Sequence, residues 1–207
     1  MKKSKYYLQL IVSGVLCWFL VGCVSTKYVE RKQYLLDVPK NLTKKATVIS
    51  ECSILVEHVS AVTPFNRLDF LYRIESGRYL IDYYNGFLAS PGEQLDSILR
   101  NYLRAYSGCS LEFTNVAASS NTLQVKLTEL YADYRKREKP QAVIALQFYL
   151  TTMVENKSVV LLDKVFRASV PLNAKNTASL LAAWNKGLND VLRQGSQTLR
   201  LILKGKK

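Results

Sequence analysis

The chain is poor in the side chains from which most enzyme active sites are built. Its 207 residues include one histidine, His58, and four cysteines. No G-x-S-x-G nucleophile motif, H-E-x-x-H zinc motif, C-x-x-C pair or glycine-rich phosphate loop occurs. His58 is therefore interpreted as a polar side chain at a strand edge. The sequence predicts a protein that is not an enzyme and that uses no cofactor or metal.

Acidic residues are also scarce. The chain has 16 Asp and Glu against 29 Lys and Arg, which gives a formal net charge of +13. Such an excess favours an anionic partner, and composition leaves nucleic acid, lipid headgroups and an acidic protein open. The hydrophobic fraction of 48% and the charged fraction of 22% are ordinary globular values. Together with the length, they predict one folded domain.

The N-terminal segment has the features of a bacterial export signal. Basic residues at the start precede a compact apolar stretch over residues 8–21, which is shorter than the ~20 residues of a membrane-spanning helix. The stretch ends in Leu20-Val21-Gly22-Cys23, which resembles the lipobox of bacterial lipoproteins. We predict that residues 1–22 are a signal peptide and that Cys23 is acylated. The alternative is an uncleaved membrane anchor in which Cys23 has no role.

Export narrows the choice of partner and of compartment. Residues 1–22 contain three lysines and no acid, so the mature chain keeps a net charge of +10. An exported protein rarely meets nucleic acid, which leaves lipid headgroups and partner proteins. Val24 follows Cys23, and by resemblance to the lipoprotein sorting rule a residue other than Asp favours the outer membrane. We therefore expect a lipid-anchored protein on the periplasmic face of the outer membrane.

The two remaining cysteines, Cys52 and Cys109, would lie in an oxidising compartment. Their even number is consistent with one disulfide, which would stabilise the domain by roughly 4 kcal/mol on the chain-entropy model. The other interpretation is two separate buried thiols, because free cysteine is a common core residue.

Residues 23–45 are mostly polar and basic, and we interpret them as a lipidated tether. A Tyr34-Leu35-Leu36 insert in the tether is expected to dock on the domain. Residues 46–207 are predicted to form a single α+β domain. Ser90, Pro91 and Glu93 have the pattern of a capping box that begins a helix.

A second, closing helix is predicted to begin at Asn176-Thr177. Between and before the helices, alternating apolar residues predict strands that follow one another in hairpins. One hairpin is expected to turn at Ser76-Gly77. The predicted fold is an antiparallel sheet with two main helices packed on one face.

The densest charge cluster lies at residues 135–139, between two predicted strands. Its basic members are candidates to contact anionic lipid headgroups or an acidic partner. The alternative is a solvated hairpin tip that keeps a sheet edge soluble. The candidate residues are Arg135, Lys136, Arg137 and Lys139.

Aromatic and apolar segments follow the lipobox in a characteristic order: Tyr34-Leu35-Leu36, then Leu71-Tyr72-Arg73, then Tyr83 to Phe87 running into Ser90-Pro91. A capped helix comes next and a long helix closes the chain. This order resembles the ABC-type transport auxiliary lipoprotein family, the paraquat-inducible lipoprotein group associated with mammalian-cell-entry (MCE) domain proteins. The likeness covers residues 34–203.

The resemblance implies an outer-membrane lipoprotein that assembles with itself into a homo-oligomer. It also implies docking on a periplasmic MCE-domain protein of an ABC lipid transporter, which carries phospholipid between the membranes. Two other functions remain open at this point. One is a scaffold or activator of another periplasmic machine, such as peptidoglycan synthesis or secretion, and the other is a carrier that binds lipid in an apolar cavity of its own.

Overall fold

The structure is a computed structural model that describes residues 30–38, 47, 49, 52–113 and 121–205. The predicted signal peptide and Cys23 lie outside the described residues. Within the described residues there are nine strands, two α-helices and one 3₁₀ turn at Thr63–Phe65. No helix among them is both long enough and apolar enough to cross a bilayer.

The strands and helices confirm the predicted α+β class. The helices are α1 (Pro91–Tyr106) and α2 (Thr177–Lys204). The strands are β1 (Lys32–Tyr34), β2 (Ser53–Val56), β3 (Ser60–Ala61), β4 (Asp69–Glu75), β5 (Arg78–Phe87), β6 (Ser110–Glu112), β7 (Asn121–Asp133), β8 (Gln141–Val154) and β9 (Lys157–Pro171).

All nine strands belong to one mixed sheet. Its order is β1-β5-β4-β7-β2-β6, with β3 also paired to β7, β8 paired to β7, and β9 paired to β8. The hairpins β4–β5, β7–β8 and β8–β9 are antiparallel, as predicted. The pairs β1–β5, β2–β6, β2–β7, β3–β7 and β4–β7 are parallel. These pairs join strands that are distant in the chain, which hairpin patterns do not predict.

Both helices bury their apolar stripes in one core. Leu99 of α1 and Trp184 of α2 belong to the same buried cluster as Leu123 of β7 and Ile144 of β8. Side chains alternate along these strands, so every second residue of β7 and β8 faces the helices. A smaller cluster, centred on Tyr131, lies on the opposite face.

The start of α1, which the sequence predicts, and its end both have a clear physical cause. The Glu93 N–H donates to Ser90 Oγ, and the Ser90 N–H donates to Glu93 Oε2 at 3.2 Å, which completes the capping box. Gly108, just past the helix, has a φ of +76°. A Cβ atom there would lie 2.6 Å from the Thr47 carbonyl oxygen, so this position requires glycine.

The compact unit begins at Arg31, earlier than the boundary at residue 46 that composition predicts. β1 pairs in parallel with β5, with Tyr34 opposite Phe87. Leu36 and Val38 are buried in the core, and the Leu36 N–H donates to Gln94 Oε1 at 2.7 Å. The Tyr34-Leu35-Leu36 insert therefore docks on the domain, with Tyr34 in the sheet and Leu36 in the core.

Cys52 and Cys109 form a disulfide in the structure, with their Cα atoms 4.8 Å apart. Cys52 directly precedes β2 and Cys109 directly precedes β6, and these strands pair from Ser53 and Ser110 onward. The disulfide therefore joins two neighbouring strands just before their first residues. Of the two interpretations of these cysteines, the structure has the bonded one.

Candidate anion-binding groove

An open groove of about 570 Å³ lies at the end of the sheet where β4 and β7 finish. The β4–β5 hairpin forms one wall. The residues after β7 and the loop before α2 form the other wall. The lining residues are Tyr72, Ile74, Glu75, Arg78, Leu80, Tyr134, Arg137 and Lys175.

Aromatic and aliphatic side chains form the interior of the groove. The rings of Tyr72 and Tyr134 meet edge to face, with centroids 5.6 Å apart. The Tyr72 hydroxyl donates to Asp82 Oδ2 at 2.6 Å, and Asp82 Oδ1 accepts from the Tyr84 and Asn85 N–H groups. These contacts fix the ring of Tyr72 on the wall.

The ionisation of this pair follows from the same contacts. Burial and the hydrogen bond to Asp82 raise the pKa of Tyr72 far above its ordinary value. Burial opposes ionisation of Asp82, but hydrogen bonds from Tyr72 and Asn85 outweigh it and hold the pKa of Asp82 below its ordinary value. Tyr72 is therefore a neutral phenol at neutral pH, and the charge of the groove comes from its rim.

Three cations from three separate segments stand on the rim: Arg78, Arg137 and Lys175. Among the described residues, one acid lines the groove, Glu75, and it pairs with Arg78 at 3.2 Å. Within the described part of the chain, Arg137 and Lys175 have no carboxylate partner. A group with negative charge and an apolar portion would therefore find both cations and an apolar surface here.

The four basic residues of the predicted cluster have different surroundings in the structure. Arg135 turns back onto Asp133, with Nη2 at 2.6 Å from Oδ2, and its hydrogen bonds hold the pKa of Asp133 below the ordinary value. Arg137 lines the groove, whereas Lys136 and Lys139 are exposed on the β7–β8 turn. One member of the cluster thus contributes to the groove, and one is neutralised by its neighbour.

Sequence reasoning missed Arg78 and Lys175. Arg78 follows the Ser76-Gly77 turn and Lys175 precedes α2, so neither belongs to a local charge cluster. Arg78 meets Arg137 because β4 pairs with β7 at Tyr72–Ala132 and Arg73–Asp133. Lys175 reaches it because the end of β9 pairs with the start of β8, with Pro171 opposite Gln141. The rim position of Lys175 had no signal in the local sequence.

Two arginines, Arg73 and Arg167, lie on the opposite face of the sheet, where they contact aromatic rings, a hydroxyl or a carboxylate. Arg73 lies over the rings of Tyr79 and Tyr131 and donates to the Tyr131 hydroxyl at 3.3 Å. Arg167 pairs with Glu129 at 2.5 Å. The Nε of Arg73 is buried without a hydrogen-bond partner among the residues that the structure describes, but its guanidinium is covered by two rings, whereas Arg137 is exposed on an open groove. The groove is therefore the more accessible candidate for an anionic ligand.

His58 lies apart from the groove. Its exposed imidazole approaches Asp96 at 3.5 Å, and Asp96 is itself bonded to Arg100 at 2.7 Å. The described residues contain no group of three or more His, Cys, Asp or Glu side chains with the geometry of a metal site. We assign no chemistry to His58.

A comparison with protein families shows to which family this chain belongs. The family described as ABC-type transport auxiliary lipoprotein component matches residues 34–194, from β1 into α2. The chain belongs to this family. The resemblance drawn from the segments between Tyr34 and Pro91 is thereby confirmed, and the sheet, both helices and the groove all lie within or beside the matched region.

Solved structures resemble this auxiliary lipoprotein in fold. Protein XCC0632 from Xanthomonas campestris is 18% identical, with a TM-score of 0.62 over 84% of this chain and 97% of its own. An uncharacterized protein is 15% identical, with a TM-score of 0.60 over 83% of this chain and 97% of its own. At these identities the likeness supports the fold alone. No curated protein matches the chain.

Proposed function

We propose that this protein is a non-enzymatic outer-membrane lipoprotein that assists an ABC-type system for phospholipid transport between membranes. Cys23 carries the acyl anchor, and the folded domain docks the periplasmic MCE-domain component of the transporter. The observation that carries the proposal is the family match over residues 34–194. The lipobox-like Leu20-Val21-Gly22-Cys23 before it supports the anchor, and Val24 after it supports the outer membrane.

The groove is our candidate for the docking contact. Interfaces that are guided by charge place a positive patch against a negative one, and aromatic residues are enriched at their centres. The groove has this composition, with Tyr72 and Tyr134 inside and Arg137 and Lys175 on the rim. We propose that an acidic segment of the MCE-domain protein binds here.

Self-assembly is a further part of the proposal. β9 spans fifteen residues and, among the described strands, pairs only with β8, so its outer edge is open. Val159, Val160 and Val165 are exposed along it. Open strand edges with apolar side chains pair readily with other chains, which supports a homo-oligomer built through this edge.

Replacement of Cys23 by alanine tests the anchor. We expect the amount of the Cys23→Ala chain in the membrane fraction to fall by roughly tenfold or more. The reason is that each buried CH₂ of an acyl chain contributes about 0.8 kcal/mol to membrane binding. Cell fractionation and intact-mass analysis measure the result. Cys17→Ala is the matched control, since this cysteine lies within the predicted signal peptide and should not alter anchoring. Membrane association that survives Cys23→Ala would contradict the proposal.

Charge reversal at Arg137 tests the docking contact. We expect Arg137→Glu to weaken binding to the MCE-domain protein of the same host about tenfold, equivalent to about 1.4 kcal/mol, because it places a carboxylate against an acidic partner. Lys136→Glu changes the net charge equally on the same turn but does not line the groove. Co-purification followed by affinity measurement compares the two variants.

Equal weakening by both variants would show that only overall charge matters and would remove the groove from the interface. Recovery of a peptidoglycan synthase or a secretion component in place of the MCE-domain protein would replace the proposed partner.

A further inference from the structure

The edge formed by β1 and β5 exposes four large side chains. Tyr83 is 76% exposed, Tyr84 58%, Leu88 56% and Leu35 54%. They lie beside the point where the chain enters the compact unit, at Arg31. Folded domains usually cover such a row of apolar and aromatic groups.

The strand register places the two leucines side by side. Tyr34 is opposite Phe87 in the parallel pair, and the Leu88 N–H donates to the Tyr34 carbonyl oxygen at 2.9 Å. Tyr34 and Phe87 both pack on Phe70 in the core. Because successive side chains alternate between faces, the next residues, Leu35 and Leu88, both point away from the core.

Tyr83 and Tyr84 are exposed next to the two leucines, in the irregular stretch of β5 where its register with β4 shifts between Asp69 and Leu71. Asp82 Oδ1 accepts from the Tyr84 N–H at 2.8 Å and from the Asn85 N–H at 3.0 Å, so the backbone here is held in place. Lys32 is opposite Asn85 and is exposed, with no carboxylate partner among the described residues. Leucine, tyrosine and lysine are the residues that proteins place at the boundary between acyl chains and headgroups.

The length of the tether limits how far the β1–β5 edge can lie from the membrane. Eight residue steps separate Cys23 from Arg31, and a fully extended chain spans at most about 3.5 Å per residue, or about 28 Å in total. β8 alone has fourteen residues, which at about 3.4 Å each span roughly 48 Å. With Cys23 fixed in the bilayer surface, the β1–β5 edge stays close to the membrane while the far end of the sheet need not.

We infer that the β1–β5 edge contacts the phospholipid leaflet that holds the acyl chains of Cys23. Leu35 and Leu88 reach the acyl boundary, and Tyr83 and Tyr84 lie at headgroup level. The inference rests on the lipid anchor of the proposed function. In this orientation two contacts hold the domain at the membrane: the acyl chains of Cys23 and the side chains of the β1–β5 edge.

Quenching by brominated lipid tests the inference on the full, processed lipoprotein. Leu35→Cys and Leu88→Cys are each labelled with an environment-sensitive fluorophore; Cys52 and Cys109 are bonded and do not react. The protein is reconstituted into vesicles of phosphatidylethanolamine and phosphatidylglycerol with bromine on the acyl chains. We expect the emission at both positions to fall at least twofold relative to unbrominated vesicles.

Met153→Cys is the matched control. Met153 is also 54% exposed, but it lies near the β8–β9 turn, and its emission should not change. Tyr83→Cys gives a further position on the same edge if either leucine variant fails to fold, and we expect quenching there as well.

The outcomes separate this inference from the proposed function. Protein that does not float with the vesicles lacks the anchor, and the proposed function fails with it. Protein that floats while positions 35, 83 and 88 stay unquenched retains its anchor, and the membrane contact of the β1–β5 edge is overturned. Quenching at Met153 alone would likewise overturn it, because the opposite end of the sheet would then face the lipid.

Discussion

Replacing Trp184 by alanine is expected to destabilise the domain by about 3–5 kcal/mol. The side chain is completely buried, and its ring lies 5.0 Å from that of Phe70 and 5.6 Å from that of Phe87. Its Nε1–H donates to the Tyr131 carbonyl oxygen at 3.3 Å. One side chain of α2 therefore contacts β4, β5 and β7, and alanine would leave a cavity in the middle of the core.

Urea unfolding followed by far-ultraviolet circular dichroism measures this effect. Leu201→Ala is the control on the same helix, because Leu201 is largely exposed and its loss should change the free energy of unfolding by no more than about 0.5 kcal/mol. If Trp184→Ala and Leu201→Ala unfold at the same urea concentration, α2 does not pack on the sheet as described.

Removal of the disulfide is expected to have an effect of similar size. Cys52 and Cys109 are 57 positions apart, and the chain-entropy model gives about 4 kcal/mol for a closed loop of about that length. For a chain of this size, the melting temperature should fall by roughly 8–16 °C in a Cys52→Ala, Cys109→Ala variant. Trp184 fluorescence reports the transition, because the other tryptophan of the chain, Trp18, lies in the predicted signal peptide.

A reductant supplies the internal comparison for this second prediction. It should lower the melting temperature of the wild-type protein toward that of the double variant and leave the double variant unchanged. An equal response of both proteins, or no response of the wild type, would show that the bond does not stabilise the folded state.

Features that depend on a few neighbouring residues were predictable from the sequence. The capping box of Ser90 and Glu93 formed as expected because the groups involved lie three residues apart. The turn at Ser76-Gly77 formed because Gly77 adopts a φ of +74°, which glycine does at little cost. The turn after β8, with Glu155 and Asn156 both at positive φ, is equally local.

The parallel pairings were not predictable in the same way. Nothing near Ser53 or Ser110 encodes that these residues will be register partners, because the β4–β5 hairpin and α1 separate them in the chain. Composition assigns β1 to the tether because its surroundings are basic and polar, and its place in the sheet depends on the edge that β5 offers. Long-range pairing of this kind is decided by the whole core.

The lining of the candidate groove likewise contains one residue that the sequence predicts and others that it does not. Arg137 was found from a run of charges, whereas Arg78 and Lys175 are isolated in sequence and meet it only in the folded sheet. Arg135 has the same chemistry as Arg137, but the acid two residues earlier, Asp133, binds it. A charge count cannot distinguish these two arginines, because the difference lies in the direction in which each side chain leaves the turn.

The position of the disulfide also bears on how this protein withstands proteolysis in the cell envelope. The β4–β5 hairpin and α1 both lie between Cys52 and Cys109. A protease that nicks the exposed turn at Ser76-Gly77 would cut the backbone but release no fragment, because the sulfur bridge still holds the two pieces together. The groove wall that the β4–β5 hairpin forms is thus retained by the molecule after a single cleavage.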